Sequence, residues 1–394
     1  MSIFTEETQK LILAELKETT ALTKIIAEGW KIDSWAAVRE LVRSGAGKKY
    51  FPVGTEFNVT TQSYGTLVWQ VVAHNLHKNP NDLTAPTMTL AMRDCIYGRA
   101  FDESELLWVN TTDSELPAGT YHFTAYKSDY GQDTLEDGTF QFTTTKAIPV
   151  NGGFWHSTMG QWRESYSVEK ITSGTFTTFD ADLNTIESGL SCTLGSEGTD
   201  LGTFSVAQAT MNVLIGKANS TQRNGYGSNN YKESNIRQWL NASTTNWWTK
   251  QTLFDRPIGY NSKLGFFGDV DPEFAAIIGE TDITVARNTV YEYDGTLGGS
   301  YTLRDKMFLL SMTELGFGNN SGIAENSTLE YYDGATQTDR IKYDYSSTTS
   351  ARCWWLRSPN PWFARGARCV NTSGALSSDN AYYGFGAVAA CSIY

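Results

Sequence analysis

The sequence is poor in the residues and spacings from which enzymes build catalytic or metal sites. It has only four histidines, at His74, His77, His122 and His156. None lies in HExxH or another metal-ligand spacing, and the chain has no GxSxG elbow, P-loop or GxGxxG turn. The GDVDPE segment offers Asp269, Asp271 and Glu273, but a helix cap explains it more simply than a calcium loop. We therefore predict no catalytic residue, no metal and no cofactor, and a protein that is not an enzyme.

Cysteines and clusters of positive charge are also scarce. The five cysteines are odd in number, widely spaced and without a CxxC pair, which argues against a disulfide framework or a zinc site. The net charge is −12 and the basic GKKY at 47–50 is short, so no nucleic-acid partner is expected. No apolar run approaches the roughly 20 residues that span a bilayer, so we expect no membrane insertion. No secretory signal is visible, which predicts synthesis in the cytoplasm.

Aromatic residues and glycine, in contrast, are abundant. Aromatics make up 13% of the chain and there are 35 glycines, which favours a β-rich fold with many turns. The 394 residues exceed one core of usual size and indicate two or three domains. Residues 1–48 are predicted to form a helical arm, with one helix over 5–28 and a second that begins at Asp33 or Ser34 and ends near Gly45. The arm either packs on the next domain or associates with itself or a larger assembly.

From Phe51 onwards the hydrophobic period changes to two, which is typical of β-strands. Strand-like segments separated by turn residues continue to about residue 205, and those over 113–205 predict a small all-β module. Helical signals return at NIRQWLN and at DVDPEFAAIIGE, where Asp271 is the predicted cap. The apolar KMFLLSM segment predicts a buried strand.

The stretch SPNPWFARGARCVNTSGALSSDNAYYGFG, residues 358–386, has no regular period. Between Asn360 and Gly386 there is no Lys and no Glu, while Tyr, Trp, Phe, Ser, Gly, Asn and Arg dominate. This is the composition of an antibody paratope, in which aromatics give large contact area and small polar residues give adaptable hydrogen bonds. We interpret the stretch as loops displayed on a rigid scaffold. The alternative, that its large aromatics are ordinary core residues, conflicts with the lack of a two-residue alternation.

The block that precedes this stretch, CWWLRSP, reads as core. Trp354, Trp355 and Leu356 are predicted to be buried, with Arg357 paired beneath the loops. WWLRSP, followed by VN, a glycine and AYYGFG, resembles a C-type-lectin-like domain family of phages and gut bacteria. Further segments agree in the family's order, namely YGTLVWQVVAHN, TMTLAMRDCIYGRAFDE, IRQWLN, LFDRP, DPEFAAIIG, ARNTV, DKMFLLSMTE and RIKY.

The resemblance covers roughly residues 51–394 and implies an α+β, C-type-lectin-like fold of the formylglycine-generating-enzyme-like subclass. It implies that this domain is formed by 49–112 and 206–394, with 113–205 as an inserted all-β module. The family usually ends in GVAP or GVRP, whereas this chain reads GAVAAC at that place. The missing proline leaves the detail of the last strand open.

Some members of this family resemble the variable proteins of diversity-generating retroelements. In those systems a reverse transcriptase rewrites adenines near the 3′ end of a gene, so that scrambled positions lie between fixed ones. The resemblance implies fixed scaffold positions at Arg368, Val370, Asn371, Gly374, Ala381 and Gly386. It implies displayed, changeable ligand-binding positions at Asn360, Trp362, Phe363, Arg365, Cys369, Ser378, Asp379, Asn380, Tyr382, Tyr383 and Phe385.

The predicted function is therefore ligand binding by a hypervariable display protein, a receptor-binding component of a phage tail. The expected partner is a cell-surface protein or glycan, and the expected assembly is a homo-oligomer, with a trimer by family analogy. We expect the protein in the virion, after synthesis in the bacterial cytoplasm, rather than on a cell surface.

Two alternatives to this function stay open. One is a lectin-like carbohydrate-binding protein with a fixed site, whose aromatics stack on sugars. The other is an enzyme of the formylglycine-generating type, which needs a reactive cysteine pair drawn from Cys353, Cys369 and Cys391.

Overall fold

The computed structural model describes residues 6–31, 34–126, 138–156, 173–205, 208–209 and 211–394. These residues form an α+β structure with curled sheets. Its helices are α1 (Glu6–Ala27), α2 (Trp35–Arg43), α3 (Gly47–Tyr50), α4 (Thr221–Tyr226), α5 (Asn235–Asn241), α6 (Phe266–Asp269) and α7 (Pro272–Ile277).

The strands before residue 220 are β1 (Glu56–Thr61), β2 (Gly65–His74), β3 (Met88–Met92), β4 (Ile96–Ala100), β5 (Trp108–Val109), β6 (Gly119–Tyr126), β7 (Gly138–Thr144), β8 (Gly153–His156), β9 (Ser173–Phe179), β10 (Thr185–Leu194), β11 (Thr199–Ser205) and β12 (Lys217–Ala218). Those after it are β13 (Ile278–Gly279), β14 (Thr281–Ala286), β15 (Ser300–Asp305), β16 (Met307–Leu309), β17 (Lys342–Asp344), β18 (Ser347–Arg352), β19 (Trp354–Pro359), β20 (Gly366–Val370), β21 (Leu376–Asn380), β22 (Gly384–Ala387) and β23 (Ala389–Ile393).

The second helix of the arm packs on the domain that follows it. α2 begins at Ser34, whose hydroxyl accepts a hydrogen bond from the amide three residues on at 3.3 Å, as an N-cap does. The Trp35 ring lies 5.3 Å from the Phe57 ring on β1 and 4.6 Å from the Phe274 ring on α7. The predicted second helix is therefore confirmed, and of the two predicted caps, Asp33 or Ser34, Ser34 takes that position.

The first helix of the arm contacts α2 through its C-terminal half and leaves much of its apolar surface exposed. Ala21 and Ile25 are buried, and Lys24 pairs with Glu40 at 2.8 Å. Large apolar side chains stand in solvent at Leu11, Ile12, Leu13, Leu16 and Ile26. None of the helices in the described part of the chain combines the length and apolarity needed to cross a bilayer.

A six-stranded sheet holds together strands from both ends of the chain. Its order is β1-β2-β3-β23-β13, and β16 also pairs with β23. β23 is fully buried, with β3 along one side and β13 and β16 sharing the other. A proline in this strand would remove a donor from the ladder, and the chain has none there. The predicted buried strand in KMFLLSM is confirmed by β16.

An eight-stranded curled sheet, in the order β11-β6-β7-β10-β9-β8-β5-β12, encloses a separate aromatic core. The chain between the two edge strands, β11 and β12, bridges them. The Thr203 amide of β11 donates to the Asn212 carbonyl at 2.7 Å, and the chain then continues into β12, which pairs with β5. Rings from six phenylalanines fill the interior, namely Phe123, Phe140, Phe142, Phe154, Phe176 and Phe204. The sheet takes in β5 and β12, which lie outside the predicted module 113–205. Each has only two residues, too few to show an alternation in sequence.

A five-stranded sheet, in the order β21-β20-β19-β22-β4, carries the C-terminal stretch. Like the six-stranded sheet, it joins a strand that precedes the curled sheet in sequence to strands that follow it. Two short ribbons, β14-β15 and β17-β18, complete the strand pairing.

The WWLRSP block is the buried centre of this part of the molecule. Trp354, Trp355 and Leu356 are fully buried, as predicted. The Arg357 guanidinium donates two hydrogen bonds of 2.7 Å to the Glu314 carboxylate, which His77 Nε2 also contacts at 2.8 Å. Burial alone would raise the pKa of Glu314, but the charge of Arg357 and the contact with His77 outweigh it and hold that pKa at about 2. The predicted pairing of Arg357 is confirmed, with Glu314 as its partner.

Candidate ligand-binding site

The candidate site is built on the loop between β19 and β20, the edge strand β21 and the turn between β21 and β22. Eight of the predicted changeable residues are exposed or half-buried here, and we call them the C-terminal face: Trp362, Phe363, Ser378, Asp379, Asn380, Tyr382, Tyr383 and Phe385. Trp362 is 53% exposed, and Tyr382 and Tyr383 are each 38% exposed. These three side chains offer most of the apolar surface of the face.

The aromatic rings of the face form a connected series. The Tyr382 ring lies 5.4 Å from Tyr226 of α4 and 4.7 Å from Tyr383. Tyr383 lies 6.3 Å from Phe385, which stacks on the buried Trp355 at 4.6 Å. The exposed rings are thus supported from below by rings that belong to the core, which limits the conformational entropy they lose on binding.

Three residues predicted to be displayed are buried instead. Asn360 closes its own loop, because its side-chain oxygen accepts from the Trp362 amide at 3.0 Å and its Nδ2 donates to Ser378 Oγ at 2.9 Å. Arg365 lies beneath the face with its guanidinium 4.8 Å from the Tyr226 ring, and it donates to Asn380 Oδ1 at 2.7 Å. Both side chains make hydrogen bonds that hold this part of the loop in place.

Cys369 is the third buried residue of the predicted set. It lies on β20 between Trp355 of β19 and Ser377 of β21. Burial raises its pKa to about 12, and burial also raises the pKa of Cys353 and of Cys391. The direction of these shifts is opposite to the lowered pKa that activates a nucleophilic cysteine.

Most of the predicted scaffold positions pack against the core or shape a turn, as positions that do not vary would. Gly374 has φ of +80°, and a Cβ added there would lie 1.8 Å from the Gln337 carbonyl oxygen. The side-chain oxygen of Asn371 accepts from the Ser373 amide at 2.9 Å, which shapes the turn between β20 and β21. Val370 and Ala381 are fully buried, Gly386 packs against the core, and Arg368 is half-buried.

The loop that carries Trp362 is anchored by residues that the sequence did not single out. Nδ2 of the buried Asn229 lies within hydrogen-bond distance of three loop carbonyls, at 3.0 Å from Asn360, 2.6 Å from Phe363 and 2.9 Å from Gly366. The Thr289 amide and hydroxyl both donate to the Pro361 carbonyl, at 2.8 and 2.7 Å. Asn229 lies in a Gly-Ser-Asn-Asn run, whose composition indicates a loop but not which partner the loop holds.

A cluster of aromatic rings around Arg99 of β4 adjoins the face. Arg99 is the cross-strand neighbour of Phe385. Its guanidinium lies within 6 Å of three ring centres, at 5.8 Å from Tyr64, 5.2 Å from Trp239 and 5.3 Å from Tyr260. These contacts hold the arginine side chain at the border of the C-terminal face.

The acidic and histidine residues considered for metal binding have structural roles. Asp271 caps α7, because its Oδ1 accepts from the amides of Glu273 and Phe274 at 2.8 and 3.2 Å. Asp269 accepts from Ser63 Oγ at 2.6 Å. Within the ranges that the structure describes, no three His, Cys, Asp or Glu side chains are placed together to hold a metal ion.

Comparison with known proteins gives a family match over part of the chain. Residues 206–393 match a domain of unknown function, DUF6273. The matched range contains the whole C-terminal face together with Asn229 and Thr289. No curated protein and no solved structure matches the chain.

Proposed function

We propose that this protein binds a ligand through its C-terminal face. The observation that carries the proposal is the exposure of Trp362, Tyr382 and Tyr383 on a backbone that buried side chains anchor from below. Tyr and Trp dominate binding hot spots because they bury large area with few rotatable bonds. The half-buried Ser378, Asp379 and Asn380 beside them supply hydrogen bonds that can adapt to different ligands.

The fold that fits this arrangement best is a C-type-lectin-like domain into which the curled sheet is inserted. Two sheets that join strands from either side of the insertion favour such a discontinuous domain. The ordered series of family-like segments supports the same conclusion.

We further propose that a retroelement diversifies the C-terminal face. Buried turn and core positions alternate here with exposed or half-buried positions, and loops on a rigid scaffold tolerate variation because the core does not depend on them. Asn360, Arg365 and Cys369 are buried, so we narrow the changeable set to the eight residues of the face. The partner would be a cell-surface protein or glycan, and the setting a phage tail assembled in the bacterial cytoplasm, where several copies would add avidity.

Deep sequencing of the 3′ part of the gene in a natural population tests the diversification. We expect substitutions, at adenines, to concentrate in the eight codons of the C-terminal face. Codons for Trp354, Trp355, Val370 and Gly374 serve as internal controls and should stay constant. A stretch as constant as the rest of the gene would exclude diversification and favour a lectin-like protein with a fixed site.

Binding through the face is tested separately with one clone. A glycan array and a display library of host surface proteins would supply ligands for the full chain. We expect any ligand captured to lose at least 10-fold in affinity when Trp362 or Tyr383 is replaced by alanine. Leu83→Ala, at an exposed apolar side chain of another segment, is the matched control. Equal losses in all three variants would exclude the face as the binding site.

A further inference from the structure

A cavity of about 260 Å³, lined mostly by polar and charged residues, opens between the loop that precedes α5, a later loop after α5 and the loop that follows β14. None of its lining residues belongs to the C-terminal face. They are Asn230, Lys232, Glu233, Gln251, Thr252, Arg287, Glu292, Tyr293 and Asp294. The volume suits one monosaccharide ring with its substituents.

Two cations of the cavity have hydrogen-bond donors that the protein does not use. The Arg287 side chain is 17% exposed, and its guanidinium lies 5.0 Å from the Tyr301 ring centre and 3.7 Å from Asp294 Oδ2, without a hydrogen bond among the described residues. Lys232 is exposed, and its ammonium has neither a hydrogen bond nor an ion pair in the described part of the chain. A largely buried guanidinium normally has its donors satisfied, so this pair favours an anionic group of a ligand.

The cavity also contains two nearly fully buried carboxyl groups. Glu233 Oε1 accepts from Ser228 Oγ at 2.7 Å and from the Arg223 guanidinium, while Oε2 has no donor among the described residues. Glu292 accepts from Asn230 Nδ2 at 2.7 Å and from Asn288 Nδ2 at 3.1 Å. Burial raises the pKa of both carboxyls, that of Glu292 to about 8. A protonated carboxyl both donates and accepts hydrogen bonds, as the recognition of a sugar hydroxyl requires.

One wall of the cavity is aromatic. Tyr293 is 37% exposed; its ring meets the Phe254 ring edge to face with the centres 5.9 Å apart, and Lys217 Nζ lies 5.8 Å from the Tyr293 ring centre. The exposed ring offers an apolar surface for the C–H face of a sugar, with polar groups on either side.

We propose that this cavity binds an acidic monosaccharide. The sugar carboxylate lies between Arg287 and Lys232, and its hydroxyls reach Glu233 and Glu292. A neutral sugar would leave the Lys232 ammonium without a partner and the Arg287 guanidinium without a hydrogen bond, and a simple carboxylate would leave Glu233 Oε2 without a donor. This site does not depend on the function proposed for the C-terminal face, with which it shares no residue.

Isothermal titration calorimetry on the full chain tests the proposal with three acid sugars: D-glucuronate, D-galacturonate and N-acetylneuraminate. We expect at least one to bind 10-fold or more tightly than D-glucose, which lacks the carboxylate, and than acetate, which lacks the sugar hydroxyls. Arg287→Gln and Lys232→Gln should each weaken that binding about 10-fold. Asp294→Asn should strengthen it, because it removes the carboxylate that competes for Arg287.

Arg304→Gln is the matched control, since Arg304 is exposed and pairs with Asp282 on the surface at 2.7 Å, outside the cavity. The Arg304→Gln variant should bind the acid sugar with the same affinity as the unmodified chain. Lys232 is also exposed, so the Lys232→Gln variant should fold. The affinity of this variant can therefore be interpreted even if Arg287→Gln does not fold. The proposal is overturned if none of the acid sugars binds, if glucose or acetate binds as tightly, or if Lys232→Gln leaves the affinity unchanged.

Discussion

At the scale of single residues, the most demanding feature is the charge buried around Arg357. Its guanidinium is satisfied by Glu314 and by the carbonyl of Leu309 at 2.8 Å. Ser358 adds a hydrogen bond to the buried Glu325. The side chains of Arg357 and Ser358 are therefore held in place by their surroundings as firmly as the apolar residues of WWLRSP, because each buried polar group needs its own partner.

Replacing Glu314 by Gln leaves the Arg357 charge buried without compensation. We expect a loss of about 3–5 kcal/mol in the free energy of unfolding, measured by urea denaturation. Glu28→Gln, at an exposed carboxylate of the arm, should change it by less than about 0.5 kcal/mol. Equal stability of the two variants would mean that the buried pair contributes nothing net.

Buried carboxyls near the cavity predict that stability depends on pH. Burial and nearby carboxylates raise the pKa of Asp255 to about 7 and that of Glu292 to about 8. Because the unfolded chain releases these protons at lower pH, the folded state holds more protons between pH 5 and 8, and stability falls as pH rises through this window. Urea denaturation at pH 6, 7 and 8 should show this decline. Glu292→Gln should make it shallower, and an unchanged slope would contradict the assignment to Glu292.

At the scale of elements, features set by neighbouring residues could be predicted from the sequence, whereas features set by long-range strand pairing could not. The cap at Asp271 and the helix it begins could be read from the sequence, because capping is decided by residues within one turn. β5 and β12 could not, because each has two residues and exists only through its partner across the curled sheet. The burial of Arg365 was missed for the same reason, since Tyr226 and Asn380, which enclose it, are distant in sequence.

The anchoring of the loop at 360–366 by Asn229 gives a direct test of how rigid the C-terminal face is. Asn229→Ala removes the donor shared by three loop carbonyls, and we expect a loss of about 1–3 kcal/mol in the free energy of unfolding. Amide hydrogen exchange within the loop should become faster, while exchange in β2 and β3 should change less. Asn81→Ala, at an exposed asparagine, is the control. Unchanged exchange in the loop would show that Thr289 and the loop's own hydrogen bonds suffice.

At the scale of the whole molecule, the arm carries a group of exposed apolar side chains on α1. The exposed residues of α1 include Ile12 and Leu16, one turn apart on the same side of the helix. A patch of this kind on a folded protein marks an interaction surface. Together with the avidity expected of a binding protein, it favours self-association through the arm.

Light scattering coupled to size-exclusion chromatography tests this self-association. We expect the full chain to have the mass of an oligomer, and the double variant Ile12→Glu/Leu16→Glu that of one chain, because two charges cannot be buried in an apolar contact. Lys17→Glu, on the same helix, should keep the oligomer. If the unmodified protein has the mass of a single chain, self-association through the arm is excluded.

The position of β23 in the six-stranded sheet has a consequence for biosynthesis. β23 connects β3 to β13 and β16, so the ribosome must finish all of residues 358–386 before the central sheet can close. Any stop codon or frameshift introduced in that stretch removes the closing strand, and the truncated chain leaves the edge of β3 open and is prone to aggregate. Folding itself would thus act as a proofreading step, since only copies with an intact reading frame through residues 358–386 could close this sheet.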